Sequence, residues 1–88
     1  MTEQQFQKKI ITRFEGMGAY VVKTISTNKR GVPDLLICLN GKFIGIEVKV
    51  GYNKASKIQL HNLDSIVRSG GVAVCIHNNE ELERFINA

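Results

Sequence analysis

The stretch that decides the fold is Gly31-Val32-Pro33-Asp34-Leu35-Leu36-Ile37-Cys38-Leu39-Asn40-Gly41-Lys42-Phe43-Ile44-Gly45-Ile46-Glu47-Val48-Lys49. Asn-Gly between two apolar runs is the strongest short-range signal for a two-residue β-hairpin, because a type I′ turn needs positive φ at both central residues. With Asn40 and Gly41 as the loop, Leu39 faces Lys42 and the register can be counted outward. Cys38 meets Phe43, Ile37 meets Ile44, Leu36 meets Gly45, Leu35 meets Ile46, and Asp34 meets Glu47. Opposed residues share a face, with Cβ atoms roughly 4.5–5.5 Å apart. Lys49, two residues beyond Glu47, lies on that same face.

Two carboxylates held opposite each other repel. At an effective dielectric near 20, unit charges about 4 Å apart cost about 4 kcal/mol. Either the pair shares a proton, raising one pKa, or a cation sits between them. Mg²⁺ is held by one or two carboxylates together with water and substrate phosphate. The spacing thus predicts a divalent-metal site with an ammonium beside it. A metal there polarises a phosphoryl oxygen and acidifies a bound water, and Lys49 could orient that water or stabilise charge developing on phosphate. The Val48 side chain points to the other face, but its carbonyl could serve as a further ligand. Pro33 fixes its own φ and restricts Val32 to extended geometry, holding Asp34 at the mouth of its strand. The chemistry implied is phosphodiester hydrolysis. The competing reading is a structural ion network of Asp34, Glu47 and Lys49.

Composition agrees with a polyanionic substrate. The 88 residues carry a net charge of +4, unevenly spread. Residues 19–60 hold seven cations (Lys23, Lys29, Arg30, Lys42, Lys49, Lys54 and Lys57) against Asp34 and Glu47. The last 28 residues hold Arg68 and Arg84 against Asp64, Glu80, Glu81 and Glu83, whose side chains are expected to form a solvated face. A basic zone around two acids suits nucleic acid meeting a metal. Lys29 and Arg30 on one loop, and Lys54 and Lys57 on another, are candidate phosphate contacts or solvated charges. Tyr52 could stack on a base. No signal-peptide core or membrane-length apolar run is found, so a cytoplasmic location is expected. Cys38 and Cys75 are expected to be buried free thiols. No structural zinc is expected, because neither cysteine is spaced with His61 or His77 as zinc requires. Both histidines read as ordinary helix and strand-end residues.

The expected architecture is a single α/β domain over residues 1–88, in the order α-β-β-β-α-β-α. Thr2-Glu3-Gln4-Gln5 has capping-box form and opens a helix over 3–16, with Phe6, Ile10, Phe14 and Met17 at helical spacing. Residues 19–25 read as a strand. Ser56-Lys57-Ile58-Gln59 repeats the capping pattern and opens a helix with Leu60, Leu63 and Val67 on one side, ended by Gly70-Gly71. Residues 72–76 read as a strand buried on both faces, and 79–87 as a short helix. Leu35, Ile37, Ile44, Ile46 and Val48 occupy one face of the hairpin; Leu36, Cys38 and Phe43 occupy the other. Both faces therefore require cover, from the two longer helices or from a second copy.

Gly31-Val32-Pro33-Asp34, twelve intervening residues, then Glu47-Val48-Lys49 resembles the PD-(D/E)XK nuclease motif. With Gly18-Ala19-Tyr20 after the first helix, the Asn40-Gly41 hairpin and Ser56-x-x-Gln59, nearly the whole chain resembles a stand-alone VRR-NUC domain. That resemblance implies a restriction-endonuclease-like α-β-β-β-α-β core with a mixed sheet flanked by helices. It also implies a Mg²⁺- or Mn²⁺-dependent endodeoxyribonuclease. Small members resemble homodimers that act on branched DNA or Holliday junctions and are often phage-encoded, which would place them in the bacterial host cytoplasm. Carried over, Asp34 and Glu47 are metal ligands, Val48 a backbone ligand and Lys49 the catalytic lysine. Gln59 matches a position that helps orient the site, and equally reads as the capping residue of its helix. The family also has a first-helix acid near the metal. Glu3 is favoured over Glu15, which sits at the helix C-terminus. Gln7 in that acid's place would weaken metal binding. The alternatives are a non-catalytic nucleic-acid-binding module of the same fold and a structural subunit without a nucleic-acid role.

Overall fold

The Asn-Gly turn forms as expected and sets the middle of the sheet. Asn40 and Gly41 have φ of 53° and 79°. They join β2 (Leu35–Leu39) to β3 (Lys42–Val48), whose register pairs Leu39 with Lys42 and Leu35 with Ile46. In this computed structural model, which describes residues 1–88, three helices flank a four-stranded sheet. The remaining elements are α1 (Glu3–Glu15), β1 (Tyr20–Lys23), α2 (Lys57–Arg68), β4 (Val72–Ile76) and α3 (Asn79–Ile86). The sheet order is β1-β2-β3-β4; the first two pairings are antiparallel, and β4 runs parallel to β3. The sheet is therefore mixed, as the resemblance implies.

Helix α1 begins in a complete capping box: the Gln5 N–H donates to Thr2 Oγ1 at 3.1 Å and the Thr2 N–H to Gln5 Oε1 at 2.8 Å. The helix gives way to a turn in which Gly18 takes φ +91°, a conformation that costs glycine little. Phe6, Ile10 and Phe14 pack with Leu35, Ile37, Ile44, Ile46, Val48, Ile76 and Leu82 of α3 in one hydrophobic core. All ten are at most 7% exposed. Helices α1 and α3 thus cover one face of the sheet.

The opposite face departs from expectation. Helix α2 packs on β3 and β4, and its Ile66 sits directly above Gly45: a Cβ there would lie 2.7 Å from Ile66 Cδ1 and 3.2 Å from Pro33 Cγ. The strip beyond α2 lies open. Phe43 is 47% exposed, and Cys38 is exposed rather than buried. The apolar side of α2 is also rotated from the Leu60-Leu63-Val67 stripe. Leu63 is buried, whereas Leu60 and Val67 are half exposed. The inward stripe is Gln59-Leu63-Ile66, so a polar residue, unreadable as core, sets the helix phase. Strand β4 is an edge strand, and only Ile76 in it is fully buried. The acidic face of α3 is not simply solvated: Glu83 pairs with Arg13 at 2.9 Å, Glu80 with Arg84 at 3.1 Å and Glu81 with His77 at 3.0 Å. No helix is long and apolar enough to cross a membrane.

Candidate active site

Side chains alternate along β3, so Ile44, Ile46 and Val48 enter the core while Gly45 and Glu47 face α2. Glu47 is nevertheless 1% exposed. Asp34 lies one step past the last hairpin pair, at the base of β2, and its Oδ2 accepts the backbone N–H of Val48 at 2.8 Å. Lys49 Nζ lies 3.7 Å from Glu47 Oε2. Gln59 Nε2 donates to the same oxygen at 3.2 Å. Asp34, Glu47, Lys49 and Gln59 therefore converge on the α2 side of the sheet.

Gln59 satisfies both readings of the sequence at once. Its Oε1 accepts the Ser56 N–H at 2.8 Å, closing the capping box of α2, while its amide nitrogen turns to Glu47. The cap fixes the side chain, and the fixed side chain aims a donor at the carboxylate. Val48 also acts twice: its side chain is fully buried in the core, and its backbone N–H orients Asp34.

The other oxygen of Glu47, Oε1, is buried and has no hydrogen-bond partner. Burial first, then the charge of Asp34, push the Glu47 carboxyl up to about 8; Lys49 pulls it down, and Glu3 adds a smaller upward push. A buried carboxylate oxygen left unpaired costs free energy unless something fills it. A hard divalent cation takes oxygen ligands and would relieve the repulsion between the two carboxylates. The two carboxylates, Asp34 and Glu47, are the kind of oxygen donors that would suit such an ion.

Glu3 does not join them as a third clustered carboxylate. No group of three or more His, Cys, Asp or Glu side chains with metal-binding geometry occurs. Its charge is felt at Glu47, but Gln7, one turn later, is the α1 polar residue that is buried, at 7% exposure, with its Oε1 unpaired. Lys29, Arg30, Lys54 and Lys57 are all exposed. The Arg30 carbonyl is held by Asn62 Nδ2 at 2.9 Å, which ties the Lys29-Arg30 loop to α2. His77 lies outside the expected set. Its Nδ1 lies 3.0 Å from Glu81 Oε1 and its Nε2 3.1 Å from the Asn53 carbonyl. Nothing in its sequence spacing indicates that it braces the loop after β3.

A hairpin carrying Asp34 and Glu-x-Lys, backed by a capped helix that supplies Gln59, defines the restriction-endonuclease-like class. No family model matches the chain. Among solved structures, one described as "VRR_NUC domain" superposes with a TM-score of 0.86 at 28% identity, covering 97% of this chain and 94% of its own. A second, "VRR_NUC domain protein", superposes with a TM-score of 0.77 over 99% of this chain and 86% of its own; at 19% identity it bears on the fold alone. A protein of Acyrthosiphon pisum secondary endosymbiont phage 1, named "Putative nuclease p44", is 36% identical over 59 residues, 66% of this chain. The alignment spans 63% of that protein's length. The resemblance to VRR-NUC domains carried by the motif thus extends over the whole fold: the chain is VRR-NUC-like.

Proposed function

We propose that the protein is a divalent-metal-dependent endodeoxyribonuclease that hydrolyses phosphodiester bonds. The observation that carries this reading is the buried, unpaired Glu47 Oε1 beside Asp34, on the face that also presents Lys49. Asp34, Glu47 and the Val48 carbonyl would hold Mg²⁺ or Mn²⁺, with Glu3 contributing charge from the end of α1. The bound ion supplies a Lewis acid for the phosphoryl oxygen and an acidified water. Asp34 is held in place by the Val48 N–H, and Gln59 fixes Glu47. Lys49 is placed to orient the attacking water or to stabilise charge on the phosphate. Lys29, Arg30, Lys54 and Lys57 grip the DNA backbone. Water adds across one P–O bond and leaves a phosphate and a hydroxyl end.

The preferred substrate in this reading is branched DNA such as a Holliday junction, cut by a homodimer whose two sites suit a two-fold-symmetric junction. Support for a dimer comes from the open strip on the α2 side, where Tyr20, Val22, Cys38 and Phe43 are exposed. The phage origin of the relative suits a role in the cytoplasm of a bacterial host. Incubation with labelled linear, forked and four-way DNAs, with Mg²⁺, Mn²⁺ or chelator, tests the activity. Cleavage that needs metal and vanishes in Glu47→Gln, with DNA binding retained, supports the nuclease. Binding without metal-dependent cleavage of any of these DNAs would instead establish the non-catalytic module. Sedimentation showing only monomer at micromolar concentration would remove the dimer.

A further inference from the structure

We infer that Tyr52 is a stacking platform for an unpaired base of the DNA, presented by a built turn that His77 holds in place. The inference rests on the nuclease reading and names what it recognises beyond the backbone. Exposed apolar side chains scattered singly are ordinary, so exposure alone carries nothing. Tyr52 differs in how it is presented. It is fully exposed, packing against nothing in the fold. It stands three residues after Lys49 and two before Lys54, on the loop linking the site strand to the site helix.

That loop is a defined turn. The Asn53 N–H donates to the Val50 carbonyl at 3.3 Å, and Gly51 enters the turn at φ +62°, placing Gly51 and Tyr52 at its tip. The next carbonyl, that of Asn53, lies 3.1 Å from His77 Nε2. Glu81 Oε1 holds His77 from the other side, accepting its backbone N–H at 2.8 Å and lying 3.0 Å from its Nδ1. Glu81 is itself locked at the start of α3, where its N–H donates to Asn78 Oδ1 at 2.9 Å. A chain of polar contacts from α3 thus fixes a turn whose tip is an aromatic ring flanked in sequence by Lys49 and Lys54. Rings of this kind bind unpaired bases by stacking, whatever the base, and add to the contacts that lysines make with phosphate.

The test uses a forked duplex with 2-aminopurine as the first unpaired base and a fully paired duplex of the same length, both in chelator so that no cleavage intervenes. The wild-type protein should quench the probe in the fork. Tyr52→Ala should lose the quench and roughly tenfold in affinity for the fork, with duplex affinity unchanged. Tyr52→Phe and Tyr52→Trp should restore both, and Tyr52→Leu should not. His77→Ala should give a smaller loss than Tyr52→Ala, because it frees the turn but keeps the ring. Equal fork affinity in wild type and Tyr52→Ala, or full rescue by leucine, would overturn the inference. So would a Tyr52→Ala protein that falls from dimer to monomer in sedimentation, which would assign the ring to a protein interface. Cleavage with metal is scored separately. Quenching without cleavage defeats the nuclease reading alone, and cleavage without quenching defeats this inference alone.

Discussion

The two faces of the sheet do different work with the same strands. On the α1 and α3 side, ten side chains form a closed apolar core. On the α2 side, the same strands present Glu47, Gly45 and the open Phe43, and α2 covers only the β3–β4 half. The first face supplies folding free energy. The second holds a buried carboxylate with one oxygen unpaired, an arrangement unfavourable in itself that the first face must offset. Stability and chemistry are thus separated by alternation along single strands, with β3 contributing to both.

That division can be broken from either side. The largest loss of stability should come from the closed face. Phe14→Ala removes a ring that is 1% exposed, and should lower unfolding free energy by about 3–5 kcal/mol in a urea titration. Where the variant remains folded, its cleavage rate should stay near wild type. Glu47→Gln should do the reverse: cleavage falls at least about a hundredfold, while the unfolding midpoint in chelator holds near neutral pH and rises above pH 8, where the wild-type carboxyl ionises in a buried site. The same residue gives a pH signature. Its carboxyl is raised to about 8 in the fold against 4.5 unfolded, so between these values the native state binds more protons than the unfolded chain. In chelator, stability should therefore fall as pH rises through that window. Glu47→Gln should flatten the slope, and Mg²⁺ should oppose it by favouring the ionised form. A slope unchanged by the substitution would assign the titration to another group.

Gly45→Ala sharpens the comparison at the seam between α2 and the sheet. The added methyl meets Ile66 and Pro33 and should cost about 1–3 kcal/mol. It should slow cleavage more than Phe14→Ala does, because it lifts the helix that carries Gln59. The smallest effect is expected from Gln59→Glu, which keeps a side chain able to close the capping box but replaces the donor to Glu47 with a like charge. Its unfolding midpoint should change little, while cleavage drops roughly tenfold. An equal fall in both would show that Gln59 acts only as a cap.

How much of this was legible differs by face. The hairpin register was readable because Asn40-Gly41 fixes a turn locally and every opposed pair then follows by counting. The α1 stripe was readable because Phe6, Ile10 and Phe14 are apolar at helical spacing. The phase of α2 was not, because a glutamine leads its inward stripe while Leu60 and Val67, apolar but half exposed, imitate a core face. Cys38, expected buried, misled for a related reason: apolar alternation shows which residues share a face, but not whether a helix is wide enough to cover them. The role of His77 depends on contacts with Asn53, 24 residues earlier, and with Glu81 on the next helix. Neither is a pattern in local spacing.

The bond from the Val48 amide to Asp34 has a thermal consequence. Val48 belongs to the strand paired on both sides, its side chain is sealed in the interior, and the aspartate is fastened to its backbone. Fraying at the chain ends leaves that bond untouched. Heating should therefore spare its alignment until the whole sheet gives way, so that inactivation and melting trace one curve, and the Val48 amide should be among the last to exchange its hydrogen with solvent.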